Sequence, residues 1–195
     1  MHKPALTVGG AAWLNLLNTR YRSQDRMVDL LQEETVVREW LIQNGLLRPE
    51  EWDRIEPEKH KLIEELTRLR DMCQTMLHTC KHTQEVSLSA VAPLQDWLNR
   101  FALHVRLRVE DGILQTSYDA ADPIDHLLVQ IGLSAVDTLR TLPLERIREC
   151  EHADCVLFFA DTSKSGKRRW CSMETCGNRH KAAEFYARQK RKQAK

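Results

Sequence analysis

The chain has 195 residues, of which 42% are hydrophobic and 29% are charged. This balance is typical of a chain with a buried core and excludes a disordered one, and the length fits one domain plus a small module, since globular domains commonly have roughly 100–150 residues. No run of about 18 apolar residues is present, and the first residues lack the pattern of an export signal. We therefore predict a cytoplasmic protein with no membrane partner.

The formal net charge of +1 conceals an asymmetry along the chain. Residues 161–195 contain eleven Lys or Arg and three Asp or Glu, which is a local charge of +8, so the rest of the chain carries −7. A basic end on an acidic body predicts a polyanionic partner for the basic end.

Helical periodicity dominates residues 1–149. Apolar side chains recur at spacings of three and four, and the flanking residues suit helix ends: Gly45 follows one stripe where a left-handed cap is expected, and Pro57 suits a first turn. The helix after Pro57 is expected to be the longest, and the last helix to be central and buried. Helices are predicted over about 11–17, 33–44, 57–77, 89–102 and 123–142.

One segment of the body has strand periodicity instead. Val105, Leu107 and Val109 alternate with charged residues, and an extended pattern resumes after Asp111-Gly112, a dipeptide typical of a tight hairpin turn. The N-terminal body is therefore predicted to be mainly α with one β-hairpin, an α+β domain.

The chain has six cysteines, and two of them are predicted to be inert. Cys73 and Cys80 lie in the apolar stripe of the longest predicted helix, where thiols are expected to pack in the core.

The other four cysteines have the spacing of a metal site. Cys150 and Cys155 form one Cys-x4-Cys pair, and Cys171 and Cys176 form a second after fifteen residues. Such paired thiols hold a structural Zn²⁺ in a closed tetrahedral shell, so one zinc ion is predicted. Disulfides, an iron–sulfur cluster, or His152 or His180 as a replacement ligand remain alternatives.

The C-terminal module is predicted to be a treble-clef-like hairpin plus helix. Its hairpin is expected to pair 156–159 with 167–170, and Ser172 suits the N-cap of the helix. Along that helix, helical projection separates an apolar seam that should pack from a basic stripe that should face out. The seam is Ala182, Phe185 and Tyr186, and the basic stripe is Lys181, Glu184, Arg188, Arg191 and Lys195.

Several runs of residues resemble a known family. Asp161–Lys164, Arg168–Ser172 and Cys176–Arg179 followed by Lys181 closely resemble the CGNR zinc finger, although Ser165-Gly166 departs from the family's usual turn. The family joins this finger to an N-terminal helical domain called ABATE, whose opening signature Leu14–Thr19 resembles. The resemblance implies an ABATE-like domain over 1–146 and a CGNR-type finger with a basic helix over 147–195.

Members of this family are proposed to be bacterial transcription regulators, so the resemblance implies binding to duplex DNA through the finger. The N-terminal domain would then sense a small-molecule effector or mediate homodimerisation. Arg179 has a second candidate role, a hydrogen bond to a ligand sulfur or to the knuckle backbone. The cations predicted to contact nucleic acid are Lys164, Lys167, Arg168, Arg169, Arg179, Lys181, Arg188 and Arg191.

Polar residues in the first helix are candidates for a ligand pocket. Asn15, Asn18 and Thr19 stand in an apolar context, although capping and buried hydrogen bonds explain them equally well.

Two other function classes stay open at this stage. Basic zinc modules also bind structured RNA, which makes an RNA- or ribosome-associated protein the alternative, and a zinc-stapled protein–protein adaptor is the third class. No enzyme is predicted, because a catalytic zinc needs an open coordination position and four cysteines close the shell.

Overall fold

The structure is a computed structural model that describes residues 6–23 and 26–193. It is mainly helical, with small antiparallel hairpins, as predicted. The helices are α1 (Ala12–Leu17), α2 (Glu34–Gln43), α3 (Trp52–Ile55), α4 (Lys59–Thr83), α5 (Leu88–Leu98), α6 (Pro123–Thr141) and α7 (Asn178–Gln193). The strands are β1 (Arg20–Ser23), β2 (Arg26–Asp29), β3 (Leu103–Glu110), β4 (Ile113–Ala120), β5 (Ile147–Glu149) and β6 (Phe158–Ala160).

The predicted helices of the body are confirmed, with small shifts at their ends. α2 ends as expected, because Gly45 has a φ of +67° and the Leu46 N–H donates to the Leu41 carbonyl across it. α4 begins at Lys59 rather than at Pro57, which lies in the preceding 3₁₀ turn. α5 starts one residue early, with Ser87 as its N-cap, and ends at Leu98.

The core of the body is built around α1. Five of the six residues of this helix are buried, and it packs on α4, α6 and β6. α6 is capped by the Asp122 carboxylate, which accepts from the N–H groups of Ile124 and Asp125. Cys73 and Cys80 are both buried on α4, and burial raises the pKa of the Cys73 thiol to about 12, so the prediction of inert core thiols is confirmed.

The predicted hairpin is present as β3 and β4. Leu103 pairs with Ala120 and Glu110 with Ile113, and the turn residues Asp111 and Gly112 both have positive φ, as a two-residue hairpin turn requires. One face of this hairpin is apolar and exposed: Val105, Leu107 and Val109 are 61–70% exposed, and Leu114 and Tyr118 lie on the same face.

A second hairpin in the body was not predicted. β1 and β2 pair over Arg20 to Asp29 and are fastened to α4 by a buried ion pair. Arg70, only 1% exposed, donates from both terminal nitrogens to the carboxylate of Asp29, at 2.7 and 2.6 Å, and also to the Thr19 hydroxyl. Paired charges in the interior must be held by hydrogen bonds of this kind, so the hairpin has a defined position on the helical body.

None of the described helices is long and apolar enough to span a membrane.

Candidate metal centre

Four cysteine sulfurs come together in the C-terminal module. The Sγ atoms of Cys150, Cys155, Cys171 and Cys176 all lie within 4.8 Å of one another. The Cys155–Cys171 and Cys171–Cys176 sulfurs are 3.8 and 3.6 Å apart. A tetrahedron with metal–sulfur bonds of ~2.3 Å has sulfur–sulfur edges of roughly 3.8 Å, whereas a disulfide bond is about 2.05 Å. These separations fit a tetrahedral thiolate-bound metal and do not fit two disulfides.

The two histidines that were alternative ligands point to other partners. His152 Nδ1 accepts a hydrogen bond from the Asp154 N–H, and the His180 ring stacks on Trp170 with centroids 4.7 Å apart. Within the described part of the chain, the four cysteines are the only group of His, Cys, Asp or Glu side chains whose ligand atoms lie close enough together to hold a metal ion. The structure therefore brings together the four cysteines whose spacing predicted a metal site.

Local turns place the sulfurs. The Cys155 N–H donates to the His152 carbonyl, which closes the turn of the first pair, and the Cys171 N–H donates to the sulfur of Cys150 at 3.4 Å. Backbone donors of this kind stabilise a thiolate. The hydroxyl of Ser172 accepts from the Thr175 N–H, so Ser172 caps the turn that leads to Cys176, as predicted.

The thiols share protons as a cluster. Hydrogen bonds from the thiols of Cys155 and Cys171 hold the pKa of Cys150 below its usual value. The neighbouring negative charge and burial then disfavour ionisation of the others. A divalent cation relieves this repulsion, which is why four grouped thiols bind metal ions and release protons on doing so.

The strand pairing of the finger differs from the prediction. β6 pairs antiparallel with β5, which lies upstream of the first cysteine, and Arg148 stands opposite Phe159. Residues 167–170 form no strand, so the predicted hairpin between 156–159 and 167–170 is wrong. The physical reason is that Ile147 and its partner Ala160 are both buried and anchor the pairing of 147–149 in the core, whereas 167–170 is largely cationic.

Residues 161–170, which lead to the second cysteine pair, are held by hydrogen bonds to a buried side chain rather than by strand pairing. Asp161 is fully buried, and its carboxylate accepts from the N–H and hydroxyl of Ser163 and from the Arg168 N–H. One acidic residue thus organises the whole turn between the cysteine pairs. The sequence contained this residue in its motif, but its role depends on burial that spacing does not reveal.

Arg168, a predicted nucleic-acid contact, is half-buried and makes several contacts within the protein. Its guanidinium donates to the backbone carbonyls of Trp170, Cys171 and Val8, and it lies 4.4 Å above the ring of Phe159. These contacts join the turn between the cysteine pairs to the body, which gives Arg168 a structural role.

Two other predicted contacts have different surroundings. Arg169 is 54% exposed but pairs with Glu151 at 2.5 Å and stacks 4.7 Å above the Trp170 ring. Arg179 is exposed, and no hydrogen bond joins it to any described residue, so the expected bond to a ligand sulfur or to the knuckle backbone is not seen. It does line a small recess beside the sulfurs of Cys155 and Cys176.

The basic helix α7 projects from the finger. Every described side chain from Lys181 to Lys192 is exposed, so the predicted packing of Ala182, Phe185 and Tyr186 is wrong. Phe185 and Tyr186 are 54% and 67% exposed, and their rings contact each other with centroids 5.8 Å apart. The residues of the seam share one helical face, but that face is exposed in the structure. Lys164, Lys167, Lys181, Arg188 and Arg191 are exposed as predicted, and Lys195 lies outside the described residues.

Asn15, Asn18 and Thr19 are buried, and their contacts favour the alternative reading of buried hydrogen bonds over a ligand pocket. The amide of Asn18 donates to the Phe158 carbonyl and accepts from the Phe158 N–H, both at 2.8 Å, which mimics a strand partner for β6. Asn15 accepts from the Gly9 N–H, and Thr19 accepts from Arg70. Their hydrogen bonds are used within the protein.

These contacts dock the finger on the body. Besides the Asn18 clamp, the Ala160 N–H donates to the Gly9 carbonyl, and the Lys81 ammonium donates to the Ile147 carbonyl at 2.5 Å. Ile147 and Ala160 belong to the core of the body, whereas Phe159 packs with the cysteines. The strand pair β5–β6 is therefore shared by both units.

Two family models match the chain. The model of the CGNR zinc finger matches residues 146–189, which contain the four cysteines. The ABATE model, described as "putative stress-induced transcription regulator", matches residues 10–142, which contain α1 to α6. No curated protein matches the chain.

Proposed function

The chain belongs to the ABATE family and ends in a CGNR zinc finger, and from this premise we propose that it is a cytoplasmic transcription regulator that binds duplex DNA through the finger. One structural zinc ion per chain belongs to the proposal, held by Cys150, Cys155, Cys171 and Cys176. Four thiolates complete the shell of the ion, so the proposal assigns it no catalytic role.

The observation that carries this proposal is the projecting helix α7. It has sixteen residues, and no described element covers its exposed surface. An isolated helix of this length is marginally stable in water and needs a partner surface to stabilise it. Its exposed side chains include Lys181, Arg188, Lys190, Arg191 and Lys192, so the partner that fits is a polyanion.

The distribution of these cations suits a groove with phosphates on both sides. At 100° per residue, Lys181 and Arg188 share one side of α7, whereas Arg179 and Lys190 lie on the opposite side. The major groove of B-DNA is about 12 Å wide and admits a helix between two phosphate walls. α7 therefore fits this groove with one set of cations on each wall.

The test uses single substitutions on α7 and a matched control. Lys181→Ala and Arg188→Ala should each weaken binding to a selected duplex and reduce the slope of log K against log salt by about 0.9, because one phosphate contact is lost. Arg54→Ala, an exposed arginine on α3, should leave both quantities unchanged. Wild-type affinity and slope in both α7 variants would contradict the proposal.

RNA is the alternative partner, because an exposed basic helix also binds phosphates on structured RNA. Competition separates the two readings: duplex DNA should displace a labelled duplex, and a structured RNA of equal charge should do so only weakly. Tighter binding of the RNA would favour the alternative. A protein adaptor would show little salt dependence, because apolar contacts would dominate its binding.

The proposal also gives the helical body a sensing role. A cleft of about 570 Å³ lies between β4 and α6, and its lining includes Tyr118, Leu133, Ser134 and Arg140. Ser117, also in the lining, has a buried hydroxyl with no hydrogen-bond partner among the described residues. The lining mixes apolar and polar side chains, and its Arg140 is paired with Asp137 of the same lining at 3.1 Å. It suits a small amphipathic molecule whose anionic group displaces Asp137 from Arg140.

Hydrogen bonds through α1 join the cleft to the finger. Ser134 accepts a hydrogen bond from the Trp13 N–H, and Thr138, one turn later, accepts from the Trp13 ring N–H. Trp13 lies on α1, and Asn18 at the end of α1 clamps β6. A ligand that shifts α6 would therefore act on the finger through α1. Allosteric coupling of this kind requires that these contacts differ between the free and the ligand-bound state.

Thermal-shift screening of small amphipathic acids tests the sensing role. A compound that stabilises the wild-type protein should lose its effect in Val136→Trp, which fills the cleft, and keep it in Leu88→Trp, whose site is 84% exposed at the start of α5. Equal stabilisation of both variants would place the ligand elsewhere.

Dimerisation is the alternative role of the body. The exposed apolar face of β3–β4 favours it, since contiguous apolar surface of this kind marks interaction sites. Sedimentation of wild type and Leu107→Lys tests it: a dimer that becomes a monomer supports this role, and a wild-type monomer at all concentrations excludes it.

A further inference from the structure

We propose that the nucleic-acid interface is composite and that Arg22, on the β1–β2 hairpin of the body, supplies a phosphate contact beside Arg179 of the finger. This inference rests on the proposed binding of DNA. It assigns to the ABATE domain a direct part in binding, where the proposed function gives it only sensing or dimerisation.

Arg22 and Arg179 face the same recess at the boundary of the two units. The recess has a volume of about 70 Å³, and its lining also includes Tyr21, Cys155, Thr175 and Cys176. Both arginines are exposed, and neither has a hydrogen bond or ion pair with a described residue. Arg20, two residues earlier on the same strand, is in contrast paired with Asp29 and Asp71.

The position of Arg22 relative to α7 is fixed by packing. Tyr21 packs against the core of the body and against the cysteine cluster of the finger. Asn18, just before the hairpin, holds β6 through both polar atoms of its amide. The other end of the hairpin is fastened by Asp29 to Arg70. The backbone that carries the two arginines is therefore held in place before binding, which lowers the conformational entropy lost on binding.

The charges around the recess place the phosphate at its rim. Asp154 and three of the four cysteines line the recess, and a zinc ion held by four thiolates would leave a net charge of −2 beside it. A phosphate inside the recess would be repelled, whereas the flexible guanidinium groups can reach outward from the edge. Arg179 lies on the side of α7 opposite to Lys181 and Arg188, so Arg22 extends the cationic surface along the second wall of the groove.

A purely structural role for Arg22 makes a different prediction. If its charge only offsets the thiolates, its removal should lower zinc retention and leave DNA contacts otherwise intact. If it contacts a phosphate, its removal should reduce the salt dependence of binding while zinc stays bound. Zinc content and salt slope measured on the same sample therefore separate the two roles.

The experiment compares full-length wild type, Arg22→Ala, Arg188→Ala and the remote control Arg54→Ala. Binding to one selected duplex is measured at several salt concentrations, and zinc per chain is measured by native mass spectrometry. We expect Arg22→Ala to retain one zinc, to bind about three- to tenfold more weakly and to lose about 0.9 from the salt slope, with Arg54→Ala as wild type. Arg22→Lys should restore most of the slope, because it keeps the charge.

Three results would overturn the inference in distinguishable ways. If Arg22→Ala binds like wild type while Arg188→Ala is weakened, DNA binding stands and the composite interface is refuted. If Arg22→Ala loses zinc together with binding, Arg22 is structural. If no protein binds duplex DNA with a salt-dependent affinity, the proposed function fails and the composite interface fails with it.

Discussion

The body and the finger are stabilised by different means within one chain. The body buries large side chains: Trp13, Trp40 and the leucines of α1 and α4 are almost completely inaccessible. The finger buries three cysteines with Leu157 and Phe159, and little else. A core of this size cannot offset the conformational entropy of its loops, so we expect the finger to depend on a bound metal ion, whereas the body depends on apolar burial.

The junction shows that the two units are nevertheless not independent. β6 contributes Ala160 to the core of the body and Phe159 to the core of the finger, on opposite faces of one strand. Removal of the metal should therefore loosen one side of a strand whose other side stays packed. The comparison teaches that the finger is a metal-dependent extension of the body with a defined docking site.

The largest expected effect comes from breaking the metal shell. Cys171→Ser should abolish zinc binding and unfold the segment from about Cys150 to Arg179, because that segment lacks an apolar core of its own. α1 to α6 should stay folded. Hydrogen exchange gives the readout: fast exchange confined to the finger is expected.

Cys73→Ser is the matched control for that experiment, since Cys73 is a buried thiol outside the cluster, and this variant should keep one zinc. Loss of the whole fold in Cys171→Ser, in a single cooperative transition with α4, would show that the body also depends on the metal.

The next largest effect tests the junction. Asn18→Ala removes both hydrogen bonds to the Phe158 backbone and leaves a buried N–H and C=O unpaired, which should cost about 1–3 kcal/mol of stability. Protection against exchange at β6 should fall in the presence of zinc. Asn99→Ala, at the exposed end of α5, serves as control. Unchanged protection of β6 in Asn18→Ala would mean that the clamp does not hold the finger.

The smallest expected effect is the loss of folding stability at acidic pH that comes from Asp29. Burial alone would raise the pKa of Asp29, but the hydrogen bonds and charge of Arg70 outweigh it and lower the pKa below its usual value. A carboxylate with a lowered folded pKa stabilises the protein fully above its unfolded pKa of about 3.9, and this contribution is lost as the pH falls through the lower folded value.

Denaturant unfolding of the body at pH 7 and pH 3 measures this contribution. Wild type should lose more stability between these two pH values than Asp29→Asn, which has no charge to lose at this position. Equal losses of stability in the two proteins would show that the ion pair does not contribute to the loss of stability at low pH.

The sequence predicted the features whose signals are local. Helical stripes with caps predicted the helices of the body, Asp111-Gly112 predicted the β3–β4 turn, and cysteine spacing predicted the metal ligands. Each signal lies within a few residues of the element that it specifies, or in a pattern that has few structural alternatives.

The errors arose where the partner is distant in the sequence. Asn18 and Phe158 are 140 residues apart, and nothing in either local pattern shows that an amide will replace a strand. Arg168 looked like a surface cation because burial of its guanidinium by Val8 and Phe159 depends on docking. The hairpin β1–β2 is short and polar, so its alternating strand pattern is weak. Its ion-pair partner Arg70 lies far along the chain, on helix α4.

The most direct test of the account measures duplex binding with and without zinc. Full-length protein is titrated with a selected duplex at several salt concentrations before and after chelation, and again after zinc is restored. The account predicts tight, strongly salt-dependent binding by the zinc form, loss of that binding on chelation while α1 to α6 stay folded, and recovery with one zinc per chain. Unchanged binding after chelation, or no salt-dependent duplex binding by the zinc form, would contradict it.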